Sequence, residues 1–196
     1  VKKPVCKLVT DEKGDAVYPV APAPAKDDSL DIVSADIASN AVALTAVLEF
    51  AGNPPTNPRI GGYFASMRFQ PPGQSVLYLG ARYDVVGNAA GAPNYEWGIY
   101  NPSTGSSTAQ ANTSDVVAGS YDTTTHQMRI SVRLSSLAGM KVAPGQRFTS
   151  LGAQTKAWYA PYVGQYAALV TDNAAAVPVT TAYIAGWPSC VKPAFP

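Results

Sequence analysis

The chain has 196 residues and a mass of 20.4 kDa, enough for a single domain whose core needs no staples to fold. Fourteen basic residues stand against 13 acidic ones, a net charge of +1, so the electrostatic excess that binds nucleic acid is missing. No apolar run approaches the roughly 18 residues of a membrane span, and 11 tyrosines with three tryptophans are too many for a disordered chain.

Cys6 is the first landmark, and Cys190 is the one other cysteine. With no His or third Cys near either, zinc is a poor fit, and a disulfide joining the two ends of one domain, residues 1–196, is expected. That bond needs an oxidising compartment, which predicts a protein secreted or held at the cell surface. Val1-Lys2-Lys3 reads as what remains after a leader is cleaved.

The next segment is acidic. Six of the ten aspartates fall within the first 36 residues, with Asp11 and Asp15 four apart around Gly14, then Asp27, Asp28, Asp31 and Asp36. Calcium takes about six to eight oxygens from carboxylates and carbonyls, often on a loop with Gly at its bend. An Asp11–Asp15 loop packed near Asp31 can supply such a set, although the spacing is not that of an EF-hand. A plainer reading competes with it. Asp11 and Asp28 would start turns by accepting backbone N–H groups, and the other carboxylates would be solvated.

Pro19 to Pro24 predicts an extended stretch crossing the surface. After it the apolar pattern has period two. Val42, Leu44, Ala46, Leu48 and Phe50 alternate with Ala43, Thr45, Val47 and Glu49, and the same alternation recurs over Tyr63 to Phe69, Leu77 to Tyr83 and Met128 to Leu134. Shorter candidates are 30–37, 95–100, 116–121, 148–158 and 180–184, with one helical turn at 135–140. Gly- and Pro-rich clusters separate them. About eight to ten short strands of this kind predict an all-β, antiparallel two-sheet sandwich of jelly-roll type.

Catalytic signatures are thin. His126 is the only histidine and stands in a Thr-rich turn, and no Gly-x-Ser-x-Gly elbow accompanies it. Glu96 lies between Tyr95 and Trp97, in the kind of aromatic setting that binds sugars, and Asp84 or Asp115 would have to partner it for glycoside hydrolysis. The expectation is a chain that is not an enzyme.

The string Thr10-Asp11-Glu12-Lys13-Gly14-Asp15-Ala16, the Pro-rich stretch, Leu30 to Ile37 and the strand Ala41 to Phe50 together resemble secreted bacterial β-sandwich domains. The similarity is to family 9 carbohydrate-binding modules and the wider DOMON-like group. It implies a jelly-roll-like sandwich, no catalysis of its own, and a structural divalent ion held by Asp11, Asp15, Asp31 and Asp36. The two tryptophans with which family 9 modules hold a sugar ring are not matched by position.

Two aromatic clusters are candidates for ligand binding. Trp158, Tyr159 and Tyr162 belong to a run with four aromatics in nine residues, broken by Pro and Gly, and Tyr95 with Trp97 forms the second. Flat rings stack on sugar faces or anchor protein interfaces, and they also fill cores. Trp187 is expected over the terminal disulfide. The leading expectation is a monomeric extracellular module that binds a glycan or a surface protein, with structural calcium. The alternative is an adhesive or self-assembling surface protein.

Overall fold

In a computed structural model the chain forms β1 (Val9–Thr10), β2 (Ile32–Ser39), β3 (Ala43–Phe50), β4 (Ile60–Gln70), β5 (Val76–Asp84) and β6 (Asn94–Asn101). Then come β7 (Ser106–Ala111), β8 (Val117–Asp122), β9 (Gln127–Arg133), a 3-10 turn (Leu134–Leu137), β10 (Arg147–Tyr159), β11 (Leu169–Ala175) and β12 (Tyr183–Ile184). The structure describes residues 3–17, 26, 28–53, 60–84, 93–159, 169–175 and 182–195, with backbone alone at 60, 61, 84, 158, 159, 169–171 and 175. The expected all-β sandwich is what forms. One sheet has five strands in the order β1-β2-β3-β9-β8; the other has seven, β11-β10-β4-β5-β6-β7 with β12 beside β10. Every pairing of neighbouring strands is antiparallel. No helix among the described residues is long and apolar enough to cross a membrane.

Period-two alternation decides which residues meet between the sheets. Leu44, Ala46 and Leu48 on β3 and Ile130 and Val132 on β9 are fully buried, in one cluster with Ala65, Met67 and Phe69 on β4 and Leu77 and Leu79 on β5. The predicted strands are all found, and three more join them. β1 is too short to show a period, and β7 (Ser-Ser-Thr-Ala-Gln-Ala) is an edge strand with no buried residue. The third is β11.

The chain ends close on one another. Cys6 and Cys190 are joined with Cα atoms 5.2 Å apart, and Val5 pairs in parallel with Ser189 beside them. Trp187 packs against the inter-sheet core, and its carbonyl accepts from the Tyr183 hydroxyl at 3.2 Å. Beyond the disulfide the tail runs across the outer face of the five-stranded sheet. Val191 buries itself with Ala38 and Val47, Arg129 donates to the Lys192 carbonyl at 2.9 Å, and Arg133 lies over the Phe195 ring at 4.0 Å.

Reducing the disulfide, whose cysteines are 184 residues apart, is expected to remove up to about 5 kcal/mol of stability, because it frees the ends of a very long loop. Urea unfolding with and without reductant measures it. An unchanged midpoint would mean that the ends stay together without the bond.

Candidate metal centre and outer sheet face

The acidic loop is held where the two sheets come to an edge. Asp11 donates its N–H to the Val33 carbonyl, which lays the start of the loop along β2. Gly14 takes φ +87°, a conformation that side-chain-bearing residues avoid, and its N–H donates to Asp31 Oδ2 at 2.5 Å. Asp31, one residue before β2, is fully buried. From the other sheet comes Asp172 on β11, buried, with Oδ2 accepting the Ile32 N–H at 2.5 Å. Carboxylate oxygens of Asp11, Asp15 and Asp172 lie within 4.8 Å of one another.

These groups disturb one another strongly. Burial, then a hydrogen bond and the charge of Asp11 and the charge of Asp15, push the Asp172 carboxyl up to about 7, against the pull of the Ile32 N–H. Asp31 is also raised, by burial first and by the charges of Asp15, Asp28 and Asp11, while the Gly14 N–H opposes them. Its Oδ1 is buried and, among the described residues, has no hydrogen-bond partner. A buried carboxylate oxygen without a partner is costly. Lys26 comes near the loop, its Nζ 3.9 Å from where a Cβ on Gly14 would sit. A hard divalent cation bound by oxygen ligands fits the cluster of Asp11, Asp15 and Asp172, whose mutual repulsion it would neutralise.

Of the four aspartates expected to hold the ion, Asp11 and Asp15 are brought together, and Asp31 stands against their loop. Asp36 lies apart on β2, where its Oδ1 accepts the Leu8 N–H at 2.9 Å and it lines a shallow pocket with Cys6 and Cys190. Asp172 is the member that sequence reasoning missed. It stands 140 residues from Ile32, and the signal it left was an Asp inside the short run Leu169-Val170-Thr171-Asp172.

The outer face of the seven-stranded sheet carries the other concentration of chemistry. Register sets Lys156, Phe64, Arg82 and Asn94 in one row across β10, β4, β5 and β6. The next row is Gln154, Ser66, Gly80 and Glu96, and the third is Gly152, Arg68, Tyr78 and Gly98. Phe64 and Tyr78 are buried and meet edge to face, 5.5 Å between centroids. They lie so close to the sheet that a Cβ on Gly80 would come 2.6 Å from the Phe64 ring, and one on Gly98 2.8 Å from the Tyr78 hydroxyl. That hydroxyl donates to Glu96 Oε1 at 2.7 Å, and Arg82 Nε donates to Oε2 at 3.4 Å. Burial and the bond to Glu96 hold the Tyr78 phenol well above its ordinary range.

Cations form the upper layer. Arg82 lies over Phe64 and Arg68 over Tyr100, 5.0 and 4.7 Å from the ring centroids. Arg68 Nη2 also donates to Asn173 Oδ1 at 2.6 Å, and Lys156 Nζ donates to the Gly105 carbonyl. Burial, then the charges of Arg68 and Arg82, lower the Lys156 ammonium from its ordinary value.

Two of the aromatics proposed from sequence, Trp97 and Tyr95, sit elsewhere. Trp97 is buried in the inter-sheet core, its Nε1 without a hydrogen-bond partner among the described residues, and Tyr95 packs beside it with its ring against Gly119 of β8. Trp158 and Tyr159 end β10, but their side chains, like the whole of Tyr162, lie outside the described residues. His126 occupies a left-handed turn at φ 53° ahead of β9. No protein-family model matches the chain, and a search of curated proteins finds no significant match.

Calcium in about hundredfold excess over its dissociation constant is expected to add ~2.7 kcal/mol to stability, read as a rise in melting temperature that EDTA reverses. Without metal the sign of the pH dependence is opposite to that of an ordinary paired carboxylate. Asp172 titrates near 7 when folded and near ~4 when unfolded, so its contribution is fully present below that lower value and is lost as the pH rises through 7. Asp172→Asn should flatten this slope and abolish the calcium response together. A calcium response that survives the substitution would remove Asp172 from the centre.

Proposed function

We propose that the chain is a non-catalytic extracellular binding module that holds a glycan against the outer face of its seven-stranded sheet, with calcium fastening the acidic N-terminal loop to β11. One observation carries this reading. The outer face of the five-stranded sheet is covered by the chain's own tail, whereas the other bears buried rings and a buried carboxylate beneath half-buried Arg68, Arg82, Tyr100 and Lys156. Solvated sheet faces need no such construction. Sites that bind saccharides combine flat aromatic surface with a few fixed polar groups.

The non-catalytic part of the proposal is supported by Glu96, the one glutamate in an aromatic setting. Each of its carboxylate oxygens already accepts a hydrogen bond, from Tyr78 and from Arg82, as in a structural anchor. The disulfide supports an extracellular setting.

Titration calorimetry against a glycan panel tests the proposal. Tyr100→Ala is expected to weaken binding about tenfold, the usual scale for an aromatic anchor. Arg129→Ala, on the tail-covered face, should leave affinity unchanged. Equal losses from both variants would argue against a face-specific site. A folded protein that binds no glycan would overturn the reading.

A further inference from the structure

The described charges on the outer face do not balance. Among the described side chains, Arg68, Arg82 and Lys156 face one carboxylate, Glu96, which is already engaged by Arg82 and by the Tyr78 hydroxyl. Arg82–Glu96 is the ion pair of this face. Arg68 is satisfied by the neutral Asn173 amide and the Tyr100 ring, and Lys156 by the Gly105 carbonyl. Among the described residues neither has a carboxylate against it.

A half-buried ammonium bonded to one neutral carbonyl is a cation that has lost water without gaining a counter-ion. On a molecule whose net charge is only +1, a local excess of two positive charges is a concentrated feature. Arginine and lysine together are suited to oxyanions: the planar guanidinium offers paired donors and the ammonium a point charge. The exposed amides of Asn94 and Asn173, at the margins of the same rows, offer donors and acceptors of the kind sugar hydroxyls need.

We infer that the ligand of this face is an acidic saccharide, its anionic group, a uronate carboxylate or a sulfate ester, held by Lys156 and Arg68. This rests on the binding-module reading above and narrows it to one class of glycan.

The experiment is calorimetry with an oligogalacturonate, a sulfated galactan oligosaccharide and a neutral galactan of the same length, at fixed calcium and at low and high salt. At least one acidic ligand should bind at least about tenfold more tightly than the neutral one, with affinity falling as salt rises. Whichever acidic arm binds identifies the group. Lys156→Gln and Arg68→Gln should each lose about tenfold at unchanged melting temperature, and Lys156→Arg should keep most of the affinity. Equal binding of acidic and neutral ligands overturns the inference and leaves the glycan reading standing, whereas no binding by any saccharide sinks both. Acidic binding that disappears with EDTA but survives both charge-removing variants would belong to the calcium centre, and that also overturns it.

Discussion

Packing two sheets face to face buries the inner rows of the central strands and leaves each sheet with a second face that the chain must treat separately. The inner rows are uniform in kind: Leu44, Leu48, Met67, Leu79 and Ile130 are all fully buried. The outer faces are opposites. On the five-stranded sheet, Ala38 and Val47 are apolar enough to receive the tail through Val191, and the Thr45 hydroxyl accepts the Ala194 N–H at 3.3 Å. On the seven-stranded sheet, Gly80 and Gly98 let Phe64 and Tyr78 lie down against the backbone, and charged groups then stack above them. Phe64 and Tyr78 thus each depend on a missing side chain on the neighbouring strand.

The edge of the sandwich poses a different problem. Closing it brings the loop after β1 against β11, and the residues that meet there are carboxylates. Backbone N–H groups of Gly14 and Ile32 answer part of the charge, but among the described residues Asp31 Oδ1 has no donor. The same segment is pinned a few residues earlier by Cys6. The two attachments differ in kind. The disulfide restricts the unfolded chain whatever the pH, whereas the carboxylate cluster depends on protons or a cation to relieve its repulsion.

How much of this was legible in the sequence follows from what each element contributes to a core. Strands with one apolar face, such as Met128-Arg129-Ile130-Ser131-Val132, announce themselves by period two, and the sandwich could be read from them. β7 could not be, because an edge strand with no buried residue has no apolar period to show. β11 hid Asp172 for a related reason: Thr171-Asp172-Asn173 has the composition of a turn, and its place beside the acidic loop is a matter of tertiary structure alone. Trp97 and Glu96, neighbours on β6, lie on opposite faces of it. Composition drew attention to the tryptophan as a binding ring, but the core claimed it. The outward Phe64 and Tyr78 read as polar-face residues until the glycines opposite them are considered.

Strand β11 links the two chemical regions through the simplest property of a strand, the alternation of successive side chains between faces. Asp172 points inward to the carboxylate cluster, and Asn173, the next residue, is exposed and accepts from Arg68. β11 is held to its sheet by β10 alone, through a ladder whose register shifts between Thr155 and Lys156. Asp172 adds a tie to β2 of the other sheet through Ile32. The hydrogen bond that fixes Arg68 from Asn173 therefore sits on a strand positioned in part from its opposite face. A cation held by Asp11, Asp15 and Asp172 would constrain the backbone from which Asn173 projects, and through β11 it would couple the acidic loop to the cationic face.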